Sequence, residues 1–156
     1  MKKQDGTDHR LMLDAVREAG ACALARFRTE QKVWRKSKYH PVCEADIETN
    51  TVLSKMLKDE RPSYGWLSEE SDDNDARLTA ERIWVVDPID GTNSYLKGLP
   101  EFAVSVALIA DGRALMGAVY NPAANEMFGP DTYYAKVDMS LPEPQNRYKK
   151  RGANVE

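Results

Sequence analysis

Cysteine is scarce in this chain of 156 residues: there are two, Cys22 and Cys43. They form neither a Cys-x-x-Cys pair nor a zinc-ligand spacing. That excludes a disulfide framework and a structural zinc site, and reads as reduced thiols packed in a core. Histidine is equally rare. His9 and His40 have no carboxylate or cysteine at ligand spacing and read as surface residues. No long apolar run is present either. Residues 11–27 come nearest, but Asp14, Arg17, Glu18 and Arg26 interrupt them, which excludes a membrane span there. The opening residues Met1 to Gly6 lead into no apolar signal core, so a secretory leader is not expected and a cytoplasmic location is. The net charge of −3 supplies no excess of either sign, which argues against nucleic-acid or anionic-membrane partners. Internal repeats are lacking.

What is there reads as one globular domain. Its length allows a single sizeable core, and 42% hydrophobic with 30% charged residues is the balance of a packed domain. Residues 8–29 read as an amphipathic helix, with Leu13, Val16, Ala23, Leu24 and Phe27 near the 3.6 period and Gly20 on the same face. Residues 30–42 are basic and polar and read as a loop. Lys32, Arg35, Lys36 and Lys38 there either meet a phosphate or are simply solvated. A second helix is expected over 44–59, buried through Ile47, Val52, Leu53, Met56 and Leu57, with its acids and lysines placed to suit the helix dipole.

Arg61-Pro62-Ser63 then breaks the pattern. Tyr64 to Leu67 reads as a short strand, residues 77–82 as a helical turn, and Ile83 to Val86 as a strand apolar enough to be covered on both faces. Phe102–Ile109 and Ala114–Tyr120 read as two more strands around a hairpin turn at Ala110-Asp111-Gly112-Arg113. Helices followed by strands predict an α+β or layered α/β fold. From about residue 129 to Glu156 periodicity stops. Pro142, Pro144 and the basic run Lys149-Lys150-Arg151 read as a disordered polar tail.

The chemistry lies in the acids. Glu69, Glu70, Asp72, Asp73 and Asp75 crowd one short stretch, which alone reads as a solvated loop. The stretch Trp84-Val85-Val86-Asp87-Pro88-Ile89-Asp90-Gly91-Thr92-Asn93 changes that reading. Two carboxylates three residues apart end an apolar strand, with Pro88 fixing the backbone between them. Hard cations such as Mg²⁺ take oxygen ligands from one or two carboxylates plus substrate phosphate. The candidate ligands are Glu69, Asp87 and Asp90, with Glu70 and Asp46 behind them and the Ile89 carbonyl beside them. Gly91 allows close backbone approach to an anion, and Thr92 opens a short helix whose N-terminus favours phosphate. As other readings, Asp87 and Asp46 are helix caps and Glu70 a surface acid. Tyr95 and Phe102 read as core or pocket wall.

The segments Pro41-Val42-Cys43-Glu44-Ala45-Asp46, Trp66-Leu67-Ser68-Glu69-Glu70-Ser71, Trp84 to Asn93 and Phe102 to Ala107 together resemble the lithium-sensitive, magnesium-dependent phosphatases of the inositol monophosphatase type. The resemblance covers roughly residues 8–128. It implies the N-terminal part of an αβαβα sandwich, with helices packed on a mixed, largely antiparallel sheet. It implies Mg²⁺ as cofactor and, as metal ligands, Glu69, Asp87, the Ile89 carbonyl and Asp90. Glu70 would hold a water, Thr92 paired with Asp46 would orient the nucleophile, and Gly91 and Thr92 would meet phosphate through backbone N–H groups. Cys43 stands where the family usually has threonine.

Members of that family are considerably longer, and their later half resembles a second α/β layer carrying a Trp-Asp-x-Ala motif. Trp34, Trp66 and Trp84 are followed here by Arg, Leu and Val, so the chain reads as a truncated member. The expected activity is hydrolysis of inositol 1-phosphate or a similar small polyol phosphate by metal-activated water, low or absent if the missing half is needed. Two alternatives stay open. One is a 3′(2′),5′-bisphosphate nucleotidase, acting on a nucleotide with the same metal motifs. The other is a non-catalytic metal-binding remnant or partner subunit. A homodimer is allowed for.

Overall fold

A five-stranded sheet carries two long helices on one face in the computed structural model, which describes residues 3–129. Helix α1 spans Lys3–Arg26 and α2 spans Glu44–Glu60. The sheet contains β3 (Gly65–Ser68), β4 (Arg82–Asp90), β5 (Ala103–Ala110), β6 (Arg113–Asn121) and β7 (Glu126–Phe128), in that spatial order. Strands β3 and β4 run parallel; every other pairing is antiparallel. The α+β reading with helices on a mixed sheet therefore holds. No helix among the described residues is long and apolar enough to cross a membrane. The expected tail lies outside the described residues.

Alternation along the strands explains the layering. In β5, Val104, Val106 and Leu108 are buried and point at the helices, while Ala103, Ser105 and Ala107 face the other way and stay half-exposed. Trp84 and Val86 of β4 join them, against Met12 and Val16 of α1 and Leu53 and Leu57 of α2. The expectation of a sheet covered on both faces is corrected here. Among the described residues only the helix face is covered, and Leu115 is 42% exposed on the other. Ile47, expected in the buried stripe of α2, is exposed; the stripe instead runs through Ala45, Thr49, Leu53 and Leu57.

Helix α1 starts five residues before the expected boundary. Its first turns are polar and carry no apolar signal, yet they are tied down by ion pairs. The fully buried Asp8 carboxylate takes Arg61 Nε at 2.6 Å and Arg82 Nη1 at 2.8 Å, while Arg82 Nη2 reaches Asp5 at 2.8 Å. The helix also ends early, because Arg28 adopts a left-handed backbone. Phe27 thus leaves the helix and packs on Tyr95 and Phe102, and Leu24 is exposed.

The segment read as a loop over 30–42 is a hairpin, with β1 (Val33–Ser37) paired to β2 (His40–Cys43). Every residue of β1 is exposed, so no inside–outside alternation marked it. The turn at Asp111-Gly112 is as expected. Both residues have positive φ, the geometry a two-residue hairpin needs to match strand twist.

Candidate active site

Parallel pairing of β3 and β4 places their C-terminal ends side by side, with Ser68 opposite Val86. The residues that follow are Glu69 and Asp87. Glu69 N–H still donates to the Val86 carbonyl, at 3.4 Å. Ligands commonly bind just beyond the carboxyl ends of parallel strands in α/β sheets. Strand β4 does not stop at Val86, as the sequence reading had it. It runs on to Asp90 through a bulge, where Asp87 faces Ser105 and Asp90 faces Ala103. The bulge accommodates Pro88, which has no N–H for a ladder, and re-aims the two carboxylates.

The chain then turns sharply at Gly91, with φ +89°, into the short helix α3 (Thr92–Leu96). A side chain at Gly91 would also meet the Glu101 carbonyl, 2.8 Å from an ideal Cβ. Glycine is therefore required twice over. Tyr95 of α3 is buried, donates to the Ala23 carbonyl at 2.7 Å and packs edge-on against Phe102. Both aromatics are core, as expected, and they anchor α3 to α1.

A pocket of about 640 Å³ opens at this corner. Glu69, Glu70, Asp87, Ile89, Asp90, Gly91 and Thr92 all line it. Asp46 lies behind Thr92 and is buried; its Oδ1 accepts from Thr92 Oγ1 at 3.1 Å. Every candidate site residue thus falls in one neighbourhood. Among the described residues, no three His, Cys, Asp or Glu side chains close into a cation cage.

Electrostatics nevertheless mark the cluster. The Asp87 carboxyl is pushed up to about 7, first by burial and then by Glu69, Asp90, Asp46 and Glu70. Asp46 is also raised, chiefly by burial, against hydrogen bonds that lower it. Crowded carboxylates held at such cost are typical of sites that take a cation. The all-oxygen donor set, the carboxylates of Glu69, Asp87 and Asp90 with the Ile89 carbonyl, fits a hard divalent ion such as Mg²⁺.

Thr92 Oγ1 carries one hydrogen and stands near two acceptors, Asp46 Oδ1 and the Ile89 carbonyl at 3.0 Å. Asp46 Oδ2 is held from its own helix start by Cys43 N–H at 2.8 Å and Cys43 Sγ at 3.1 Å. The Cys43 thiol is pushed up to about 12, mainly by burial and then by Asp46, and so stays protonated.

Three features escaped the sequence reading. Lys36 of the hairpin reaches Glu70, with Nζ 2.8 Å from Oε1, and donates to the Glu69 carbonyl as well. His40 is exposed, as expected, yet it also lines the pocket beside Tyr39. Behind the acids, Ser68 Oγ donates to Asn50 Oδ1 at 2.6 Å and accepts from Glu70 N–H at 3.2 Å, while Asn50 Nδ2 and Trp66 Nε1 both donate to Ser71 Oγ. The serines flanking Glu69-Glu70 were the one sequence signal of this brace.

Comparison with known proteins agrees with this architecture. The chain is 37% identical over 120 residues to the inositol-1-monophosphatase of Rhizobium meliloti, covering 76% of this chain and 45% of that one. It is 39% identical over 94 residues to the 3′(2′),5′-bisphosphate nucleotidase CysQ of Escherichia coli, covering 60% and 38%. The extragenic suppressor protein suhB of Bartonella henselae superposes with a TM-score of 0.74 at 32% identity, covering 78% of this chain and 47% of that one. The chain therefore spans less than half the length of these relatives. The family model for the inositol monophosphatase family matches residues 9–136, and the chain belongs to that family.

Proposed function

We propose that this chain is a Mg²⁺-dependent phosphomonoesterase acting on a small polyol phosphate such as inositol 1-phosphate. The observation that carries this reading is the convergence of Glu69, Glu70, Asp87 and Asp90 on one pocket, with Asp87 pushed to about 7 beside a Gly-Thr turn. Glu69, Asp87, Asp90 and the Ile89 carbonyl would hold the cation. Bound there, Mg²⁺ supplies charge neutralisation for the phosphoryl group and a lowered pKa for water.

The chain's own residues carry the proton handling. Thr92 Oγ accepts a hydrogen bond from the attacking water and donates its own hydrogen to Asp46 Oδ1. Burial raises the proton affinity of Asp46, which suits it to take the Thr92 hydroxyl hydrogen as Thr92 Oγ takes the proton of the attacking water. Glu70, which the structure pairs with Lys36, holds and orients a second water. Backbone N–H groups of Gly91 and Thr92 meet the phosphate. The test is phosphate release from inositol 1-phosphate with Mg²⁺ by the wild type and by Asp87→Asn. Equal turnover by both refutes these roles.

The identity to CysQ supports a second reading, a 3′(2′),5′-bisphosphate nucleotidase. Faster release from an adenosine 3′,5′-bisphosphate than from inositol 1-phosphate would select it. The open sheet face supports a third, a non-catalytic remnant or partner subunit. Mg²⁺ binding without release from either substrate would select that one.

A further inference from the structure

We propose that Cys43 is a positioning residue: its thiol holds one oxygen of Asp46 so that the other faces Thr92. The inference rests on the proposed phosphatase reading for its chemical meaning, but its geometry stands apart from it. Cys43 is the N-cap of α2 and Asp46 the third residue of that helix, and the two form a reciprocal capping box. Both of Cys43's donors, N–H and S–H, go to the same oxygen, Oδ2. Oδ1 is thereby left for a residue far away in sequence, Thr92. Cys43 is fully buried and Asp46 nearly so, which leaves little room for water to replace a missing donor.

The consequence falls on Thr92. Its single hydroxyl hydrogen has two acceptors at almost equal distance, Asp46 Oδ1 at 3.1 Å and the Ile89 carbonyl at 3.0 Å. The choice between them is close and is decided by how firmly Oδ1 is presented. With the carboxylate pinned through Oδ2, the hydrogen goes to Asp46. The Ile89 carbonyl then has both lone pairs free for a cation, and the Thr92 oxygen, its hydrogen fixed on Asp46, presents its lone pairs to water. With the pin loosened, the carboxylate turns and the hydrogen falls back onto Ile89. A thiol is a weak donor and a hydroxyl a stronger one, so the hold is graded by the residue at position 43.

The test uses the full chain, free of metal, with the carboxyl carbon of Asp46 followed by ¹³C NMR across pH. Cys43→Ala removes the side-chain donor and keeps the backbone one; Cys43→Ser supplies a better donor in nearly the same space. The titration midpoint of Asp46 is expected to rise by about half a unit or more in Cys43→Ala, because the carboxylate loses a hydrogen bond. It is expected to fall below wild type in Cys43→Ser. Coincident midpoints in all three proteins overturn the proposal. If Cys43→Ala does not fold, the serine variant decides alone: no downward shift overturns it.

Phosphate release with Mg²⁺ is measured in parallel. A several-fold loss of kcat in Cys43→Ala at unchanged KM, recovered in Cys43→Ser, is the expected companion. A wild type that releases no phosphate but shows the graded midpoints refutes the phosphatase reading and upholds the hold on Asp46.

Discussion

Lys36 Nζ lies 2.8 Å from Glu70 Oε1, so the β1–β2 hairpin is tied across the pocket mouth to the acids it overhangs. The Glu70 side chain is only 7% exposed while Lys36 is 42% exposed, so a flexible surface cation answers a largely buried charge. The pair links the position of the hairpin to the electrostatics of the site.

Replacing Lys36 by Gln removes a positive charge that sits on Glu70 beside the acids and repels any cation they take. A partly exposed pair of this kind is worth about 1 kcal/mol at most. Mg²⁺ is therefore expected to bind up to about fivefold more tightly to Lys36→Gln, by calorimetric titration. Backbone amides of residues 33–43 should exchange faster in the same variant, by hydrogen-exchange mass spectrometry. Weaker binding would show that Lys36 assists the cation site rather than repelling the cation.

The pH dependence follows from Asp87. Its pKa is higher in the folded chain than the usual carboxylate value near 4, so the folded state binds the extra proton. Stability without metal is therefore expected to fall as pH rises from about 4 to about 7, and to level off above that. Mg²⁺ must displace the proton, so its affinity should rise up to about tenfold per unit below pH 7 and flatten above it. Asp87→Asn should flatten both profiles. A wild-type affinity that is constant between pH 5 and pH 7 would contradict the assignment.

Gly91→Ala is expected to destabilise by about 2 kcal/mol. The left-handed φ of +89° costs about 1–2 kcal/mol for a residue with a Cβ, and the Glu101 carbonyl stands 2.8 Å from where that Cβ would sit. The melting temperature should drop by roughly 4–8 °C. Gly112→Ala offers a control: its φ is also positive, but no atom lies within 4 Å of the new methyl, so a smaller drop is expected.

Asp8→Ala should unfold the chain more readily than any surface change. It leaves Arg61 and Arg82 without the buried carboxylate that both now contact. Removing one partner of a buried ion cluster typically costs about 3–5 kcal/mol. Urea denaturation measures it. A loss below about 1 kcal/mol would mean the arginines swing to solvent at little cost.

How much was legible depends on whether a feature repeats locally. Helix α2 and strands β5 and β6 were read nearly to their ends, because Leu53 and Leu57, or Val104, Val106 and Leu108, recur at the period of their own element. Helix α1 was misread at both ends. Its start rests on Asp8 meeting Arg61 and Arg82, and its end on the left-handed Arg28, neither of which has a period. The β1–β2 hairpin was missed because neither face of β1 is buried. The site acids were legible as a motif. Lys36 was read as meeting a phosphate or solvated, whereas it pairs with Glu70, and Asn50 was not marked out, since an isolated lysine or asparagine carries no local sign of what it will touch.

The sequence by itself determined the family and the donor chemistry. A strand ending in Asp-Pro-Ile-Asp-Gly-Thr permits few backbone paths, and its oxygens suit few ions. Only the tertiary structure decided which carboxylates became neighbours. Parallel pairing of β3 with β4 set Glu69 beside Asp87, the bulge turned Asp90, and packing of α2 brought Asp46 under Thr92. Those proximities span gaps of many residues, and they follow from burying one sheet face under two helices, a global condition that no local stretch of chain encodes.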